Sequence, residues 1–256
     1  MNTTISKQEI LARYATKYEG EWSYIANALK TGEPVPTRQA KGSYITIYDD
    51  AYPSSLRSLR FPPWVLFYRG NLNLLNQQAM TIVGSRELGA YGRQMTEISA
   101  SLLCGRYVIV SGLAKGADGI AHRTAIGKGG KTIGVIGCGL NVRYPRENEY
   151  LYRRMERDHL ILSEYPEHTG VKRHHFPWRN RILAALGEGI IVTQASLKSG
   201  TMLTVNEGLN LGKEVWCFPY PCGMKEGEGC NLLISQGANI VYDLSVLEDL
   251  HPLKAI

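Results

Sequence analysis

Short apolar runs, mostly of β-branched residues, alternate along this chain with stretches of helical periodicity, and that alternation restricts the fold more than any other feature. The runs fall at 44–49, 64–70, 79–84, 107–112, 131–137, 160–162, 189–194, 214–219 and 238–242. Helical patterns occupy 89–104, 116–127, 147–158, 178–186, 200–211 and 228–236. The runs are almost continuously apolar, as strands are when helices cover both faces of their sheet. Strand–helix alternation of this kind predicts an α/β chain with a doubly wound, mostly parallel sheet. Ahead of it, residues 5–30 carry two amphipathic patterns, Ile5, Ile10, Leu11 and Tyr14, then Trp22, Ile25 and Leu29. The stretch 31–43 that follows is rich in Pro, Gly and polar residues and reads as a linker. So little helix buries no core by itself, so this segment is expected to pack on the rest.

Charge bears on what such a fold can hold. Lys plus Arg number 29 against 23 Asp plus Glu, and the pI is about 9.0. A modest positive excess suits a polyanionic partner only if the cations converge. The five cysteines, Cys104, Cys138, Cys217, Cys222 and Cys230, contain no CxxC pair. That spacing argues against a zinc knuckle or a disulfide framework and for reduced thiols in a cytoplasmic protein. The N-terminus has no signal-peptide pattern, and no run of about 20 apolar residues is present to span a membrane.

In an open parallel sheet, ligands bind outside the carboxyl ends of the strands, so the loops after the strands are where chemistry is expected. The first holds Gly84, Ser85 and Arg86. The second runs Ser111-Gly112-Leu113-Ala114-Lys115-Gly116 into a helix bearing Asp118 and His122. The third leads from Gly137-Cys138-Gly139 to Tyr144-Pro145-Arg146, and the fourth is Gln194 to Thr201, with Lys198, Ser199 and Gly200. Small residues, amides at a helix N-terminus and a nearby cation are the parts of a phosphate site. A dinucleotide fingerprint is incomplete, because Val142 stands where its third glycine belongs, and no GxxxxGK[ST] loop exists. The segment 171–181, VKRHHFPWRNR, interleaves Lys172, Arg173, Arg179 and Arg181 with Phe176 and Trp178. Cations alternating with aromatics suit phosphate contacts plus base stacking. Asn180 is placed to cap that helix or brace a neighbouring loop.

The series IVGSR (82–86), IVSGLAKGAD (109–118), GKTIGVIGCGLNVRYPREN (130–148), LILSEYP (160–166), FPWRNRI (176–182), LKSGTMLT (197–204) and NLLISQGA (231–238) resembles the DNA-processing protein A (DprA/Smf) family, as does the lead-in 48–75. The resemblance implies an extended Rossmann-like domain at 44–243, between a helical segment and linker at 1–43 and a tail at 244–256. It also implies single-stranded DNA binding in natural transformation, homodimers, and help in loading RecA, with no cofactor, no metal and no catalytic residue. Carried over, the DNA-contacting residues are Arg86, Arg146, Arg173, Arg179 and Arg181, with loop amides and Ser85, Ser111 and Lys115 near the phosphates. The expected contact set is completed by Gly84, Gly112, Gly116, Phe176, Asn180, Lys198, Ser199 and Gly200. Asp118 and His122 read as braces rather than catalysts. The chain departs from the family pattern at Gln194, Ala117 and the loop 218–229.

Two other readings compete. Ser199-Gly200-Thr201 echoes the loop of LOG-type phosphoribohydrolases, but Thr204 stands in place of their glutamate, so the acid or base is missing. The other rival is a protein that senses a small nucleotide, since a phosphate cradle does not state the length of its polyanion.

Overall fold

The computed structural model describes residues 5–252. Two helices, α1 (Lys7–Lys17) and α2 (Trp22–Thr31), precede strand β1 (Ser43–Thr46), short helix α3 (Ser54–Arg57) and strand β2 (Val65–Gly70). Strands and helices then alternate as β3 (Ala79–Val83), α4 (Ala90–Leu103), β4 (Val108–Ser111), α5 (Ala117–Gly127), β5 (Thr132–Ile136), α6 (Glu149–Asp158) and β6 (Leu160–Ser163). The chain continues through α7 (His175–Leu186), β7 (Gly189–Val192), α8 (Gly200–Asn210), β8 (Glu214–Cys217), α9 (Glu228–Ser235), β9 (Asn239–Ile240) and α10 (Ser245–Glu248).

The strands form one sheet in the order β1-β2-β6-β5-β4-β3-β7-β8-β9. From β6 to β9 every pairing is parallel, whereas β2 runs antiparallel to both β1 and β6. This is the doubly wound, mostly parallel sheet expected from the apolar runs. Strand β4 shows why its sequence does not alternate. Ile109 packs with Met95 and Leu103 of α4 and Ala121 and Ala125 of α5. Its neighbours Val108 and Val110 pack with Ile182 and Leu183 of α7 on the other side. Successive strand residues point to opposite faces, and here both faces are covered. Burying each such side chain contributes about 1.5–3 kcal/mol.

The N-terminal helices dock as expected. Leu11, Tyr14, Ile25 and Ala28 pack with Val65 and Phe67 of β2 and Leu151 and Tyr152 of α6. Ser6 caps α1 by accepting the Glu9 amide at 3.1 Å. Indole Nε1 of Trp22 donates to the Pro62 carbonyl at 2.7 Å, fastening the start of α2 to the sheet side. The segment expected as a tail contains α10, whose Leu247 is buried in the core while Arg106 donates to its carbonyl at 3.1 Å. Four residues are too few for a helical period to register, which is why α3 and α10 are not visible as patterns. Among the described residues no helix is long and apolar enough to cross a membrane.

Strand order proceeds away from β3 in both directions, to β4, β5 and β6 on one side and to β7, β8 and β9 on the other. Such a reversal opens a crevice beyond the carboxyl ends of the two strands where it occurs, here β3 and β7.

Candidate nucleic-acid interface

A groove of about 580 Å³ lies at this reversal. Its first wall is the turn after β3. Gly84 is required there by close packing, because a Cβ would sit 2.6 Å from Thr193 Oγ1 and 2.7 Å from Ala117 Cβ. The turn is then braced from three directions. Ala117 N donates to Ser85 O at 3.1 Å, and the Ser85 hydroxyl donates to Glu87 O at 2.8 Å. Gln194 Oε1 accepts from Gly89 N at 3.1 Å while its Nε2 donates to Glu87 O at 3.0 Å. The buried amide at 194 thus performs a donor-and-acceptor role that a carboxylate could not fill in both directions. Arg86 projects from this fixed turn, exposed, its guanidinium 5.4 Å from the Phe176 ring centroid. Phe176 in turn lies 5.7 Å from the ring of Tyr144.

The second loop is held as tightly. Leu113 has a φ of 55°, unusual without glycine, and Asn148 Nδ2 secures it by donating to the carbonyls of Leu113 and Ala114 at 3.0 and 2.8 Å. Gly116 has a φ of 72°, and a Cβ there would overlap the carbonyl oxygens of Ser85 and Arg86. Asp118 Oδ2 accepts the Ala114 amide at 3.3 Å. Burial pushes this carboxyl above its usual range, with the Arg179 guanidinium opposing the shift. His122 is buried, and its Nδ1 lies 2.6 Å from Thr132 Oγ1. The Thr132 hydroxyl spends its proton on Ile109 O at 2.6 Å, so His122 Nδ1 is the donor. Burial holds this imidazole down at about 3. Asp118 thus braces the loop from behind, while His122 ties α5 to the start of β5.

The third wall is the start of α8. Ser199 is the N-cap of that helix but makes no capping bond, and its buried hydroxyl has no partner among the described residues. Nδ2 of Asn180 donates to the Gly200 carbonyl at 3.3 Å and joins α7 to this helix start.

Of the residues expected to meet DNA, the groove brings together Gly84, Ser85, Arg86, Arg173, Phe176, Arg179, Asn180, Ser199 and Gly200. An adjoining hollow of about 210 Å³ shares Arg86 and Phe176 and adds Gly112 and Lys115. Lys115 is exposed and paired with Glu147. Arg146 and Lys198 are exposed just outside both linings.

Four expectations need correction. Ser111 is fully buried, its hydroxyl donating to Ile82 O at 2.7 Å, so the chain itself has taken up its donor. Gly116 shapes the wall by its backbone rather than lining the groove. Arg179 lies on the groove floor rather than projecting into it. It is 4% exposed, donates to Gly112 O at 2.8 Å and to Val135 O, and its Nε donates to Asn180 Oδ1 at 3.2 Å. Arg181 is elsewhere altogether. Its Nη2 holds both oxygens of buried Glu164 at 2.7 and 2.8 Å, its Nε donates to Phe61 O at 2.9 Å, and it stacks 4.1 Å from the Trp178 ring centroid. Residues two apart on a helix do not share a face, so Arg179 and Arg181 cannot both reach one groove. Trp178 belongs to that second side, packed 5.5 Å from Phe61. Conversely, Tyr144, part of the third loop but outside the expected contact set, lines the groove. An aromatic residue in a loop after a strand was the available signal.

Residues 43–251 match the family model described as DNA recombination-mediator protein A. The DNA processing protein DprA of Streptococcus pneumoniae is 42% identical over 196 residues, 77% of this chain and 70% of that protein. The X-ray structure of the S. pneumoniae DprA superposes with a TM-score of 0.79 at 40% identity, covering 83% of this chain and 76% of the other. DprA of Helicobacter pylori, whose structure concerns its single-stranded DNA binding mode, has a TM-score of 0.74 at 31% identity, covering 82% and 98%.

Proposed function

Since the chain belongs to the DNA recombination-mediator protein A family, we propose that it binds single-stranded DNA in the groove between the carboxyl ends of β3 and β7. The observation that carries this reading is a groove at the strand-order reversal that presents the exposed guanidinium groups of Arg86 and Arg173 beside the N-terminus of α8, where the Ser199 hydroxyl has no partner among the described residues. A helix N-terminus, a free hydroxyl donor and two guanidinium groups are suited to phosphate oxygens. Beside them Phe176 and Tyr144 offer ring surface to a base. The strand would continue over the adjoining hollow past Lys115 and Arg146, with Lys198 flanking α8. Single-stranded DNA binding by the H. pylori relative supports the choice of ligand.

The groove is read as a binding site, not a catalytic one. Thr204, buried beside it, occupies the place of the carboxylate that a LOG-type hydrolase needs, and the imidazole of His122 is sealed behind the loop. With phosphates as the main targets, sequence preference is weak and duplex binds less well. The family resemblance extends the reading to a cytoplasmic homodimer that protects the incoming strand and passes it to RecA. Exposed Leu232, Ile240 and Tyr242 near edge strand β9 are the surface to examine for those contacts.

Fluorescence anisotropy of a labelled oligothymidine, with and without mononucleotide competitors, tests the reading. Tight binding that millimolar mononucleotide fails to displace is expected. Displacement by micromolar mononucleotide would instead make the groove a small-nucleotide site.

A further inference from the structure

Away from the groove, where α2 meets α7, three metal-ligating side chains converge from distant parts of the chain. Glu21 Oε1 is 3.1 Å from His174 Nε2 and 3.3 Å from His175 Nε2. One ligand atom from each residue lies within 4.8 Å of the other two.

The hydrogen bonding of His175 defines what is missing between them. Its Nδ1 lies 3.1 Å from the Gly137 carbonyl, which can only accept, so Nδ1 carries the proton. In the neutral ring Nε2 is then a bare lone pair, and it faces a carboxylate oxygen. Two acceptors at that separation repel unless a cation lies between them. The nearest ammonium does not serve, because Lys172 Nζ is 3.8 Å from Glu21 Oε1 and pairs more closely with Glu19, at 2.8 Å.

The geometry points to a site for a borderline divalent metal of the Zn²⁺ type, held by Glu21, His174 and His175 and tying the N-terminal helices to the start of α7. Ligand atoms bound at about 2.0–2.2 Å to one tetrahedral ion stand roughly 3.4 Å apart, close to the 3.1 and 3.3 Å from Glu21 Oε1 to the two imidazoles. A ring that donates its other N–H to a backbone carbonyl is the usual setting of a zinc-bound imidazole. Two imidazoles with one carboxylate suit Zn²⁺ better than Ca²⁺ or Mg²⁺, which favour oxygen donors. Exposed His174 leaves a fourth position open to water. No ligand spacing announces the cluster, since Glu21 and His174 lie 153 residues apart. Phe176 directly follows His175, so the ion would fix the entry of the helix that carries the aromatic wall of the groove.

The test is titration of the untagged full chain, stripped with chelator, first with Co²⁺ and then with Zn²⁺. Expected are one Co²⁺ per chain with the visible absorption of a four- or five-coordinate ion, its displacement by Zn²⁺, and a higher unfolding temperature with metal. His174→Ala, at a position 63% exposed where folding is not at stake, and Glu21→Gln should each weaken binding about tenfold or more. Absence of saturable binding overturns the proposal, as does unchanged affinity in both variants. It also falls if Zn²⁺ has no effect while acidification stabilises the wild type and not His174→Ala, for then a proton bridges the cluster.

Discussion

Arg179 and Arg181 stand two residues apart on α7 and serve opposite sides of it, Arg179 bonded to the Gly112 carbonyl under the groove and Arg181 to Glu164 behind it. The motif that spells two adjacent cations therefore supplies one guanidinium to the groove floor and one to a buried ion pair. Their variants should fail in different ways. Arg181→Ala leaves a buried carboxylate without its partner and should cost about 3–5 kcal/mol in urea unfolding. DNA affinity of the protein that remains folded should stay within about threefold of wild type, less than 1 kcal/mol.

Phe176 is only half-buried and lies beneath Arg86, so truncation should affect binding more than folding. For Phe176→Ala a loss of about 1–3 kcal/mol in oligothymidine affinity is expected, read by anisotropy, with Phe176→Trp retaining most of it. Equal affinities in all three proteins would remove the ring from the binding surface.

Gly116 joins two of the walls through its backbone. Gly116→Ala forces a side chain into a positive φ and against the Ser85 and Arg86 carbonyls. A destabilisation of about 1–3 kcal/mol or more is expected, with faster proteolysis in the Arg86 loop. A variant as stable as wild type would show that the two loops separate at little cost.

Acid should weaken the fold through His122. Its imidazole is held at about 3 in the native state against 6.5 unfolded, so only the unfolded chain takes up a proton between those values. The stability it contributes is complete above 6.5 and is lost as pH falls towards 3, at up to roughly 1.4 kcal/mol per pH unit. His159, also buried and shifted down, adds in the same direction. Unfolding free energies measured from pH 7.5 to 5 should fall less steeply in His122→Gln than in wild type, and parallel curves would contradict this.

Much of this architecture is legible in the amino-acid sequence. Apolar runs covered on both sides, as at Val108, Ile109 and Val110, announce a parallel sheet whatever their partners. The rule that ligands sit beyond the carboxyl edge located the loops at Gly84, Gly112 and Ser199. What stayed hidden was direction. Ser111 closes β4, and nothing in its neighbours says that its hydroxyl turns inward to Ile82. The divergence of Arg179 and Arg181 follows from helical spacing, but which one faces the groove depends on how α7 lies on the sheet. Asn148 and Gln194 brace loops far from them in sequence, and only assembly reveals such partners.

The most direct test of a single-stranded DNA site in this groove is the salt dependence of oligothymidine binding in wild type, Arg86→Glu and Arg173→Glu. Both side chains are exposed and project over the groove, so charge reversal should leave the fold intact. Affinities at least about tenfold weaker are predicted, with a log–log salt slope shallower by roughly 0.7 for each phosphate no longer neutralised. Wild-type affinity and slope in both variants would place the DNA on another surface.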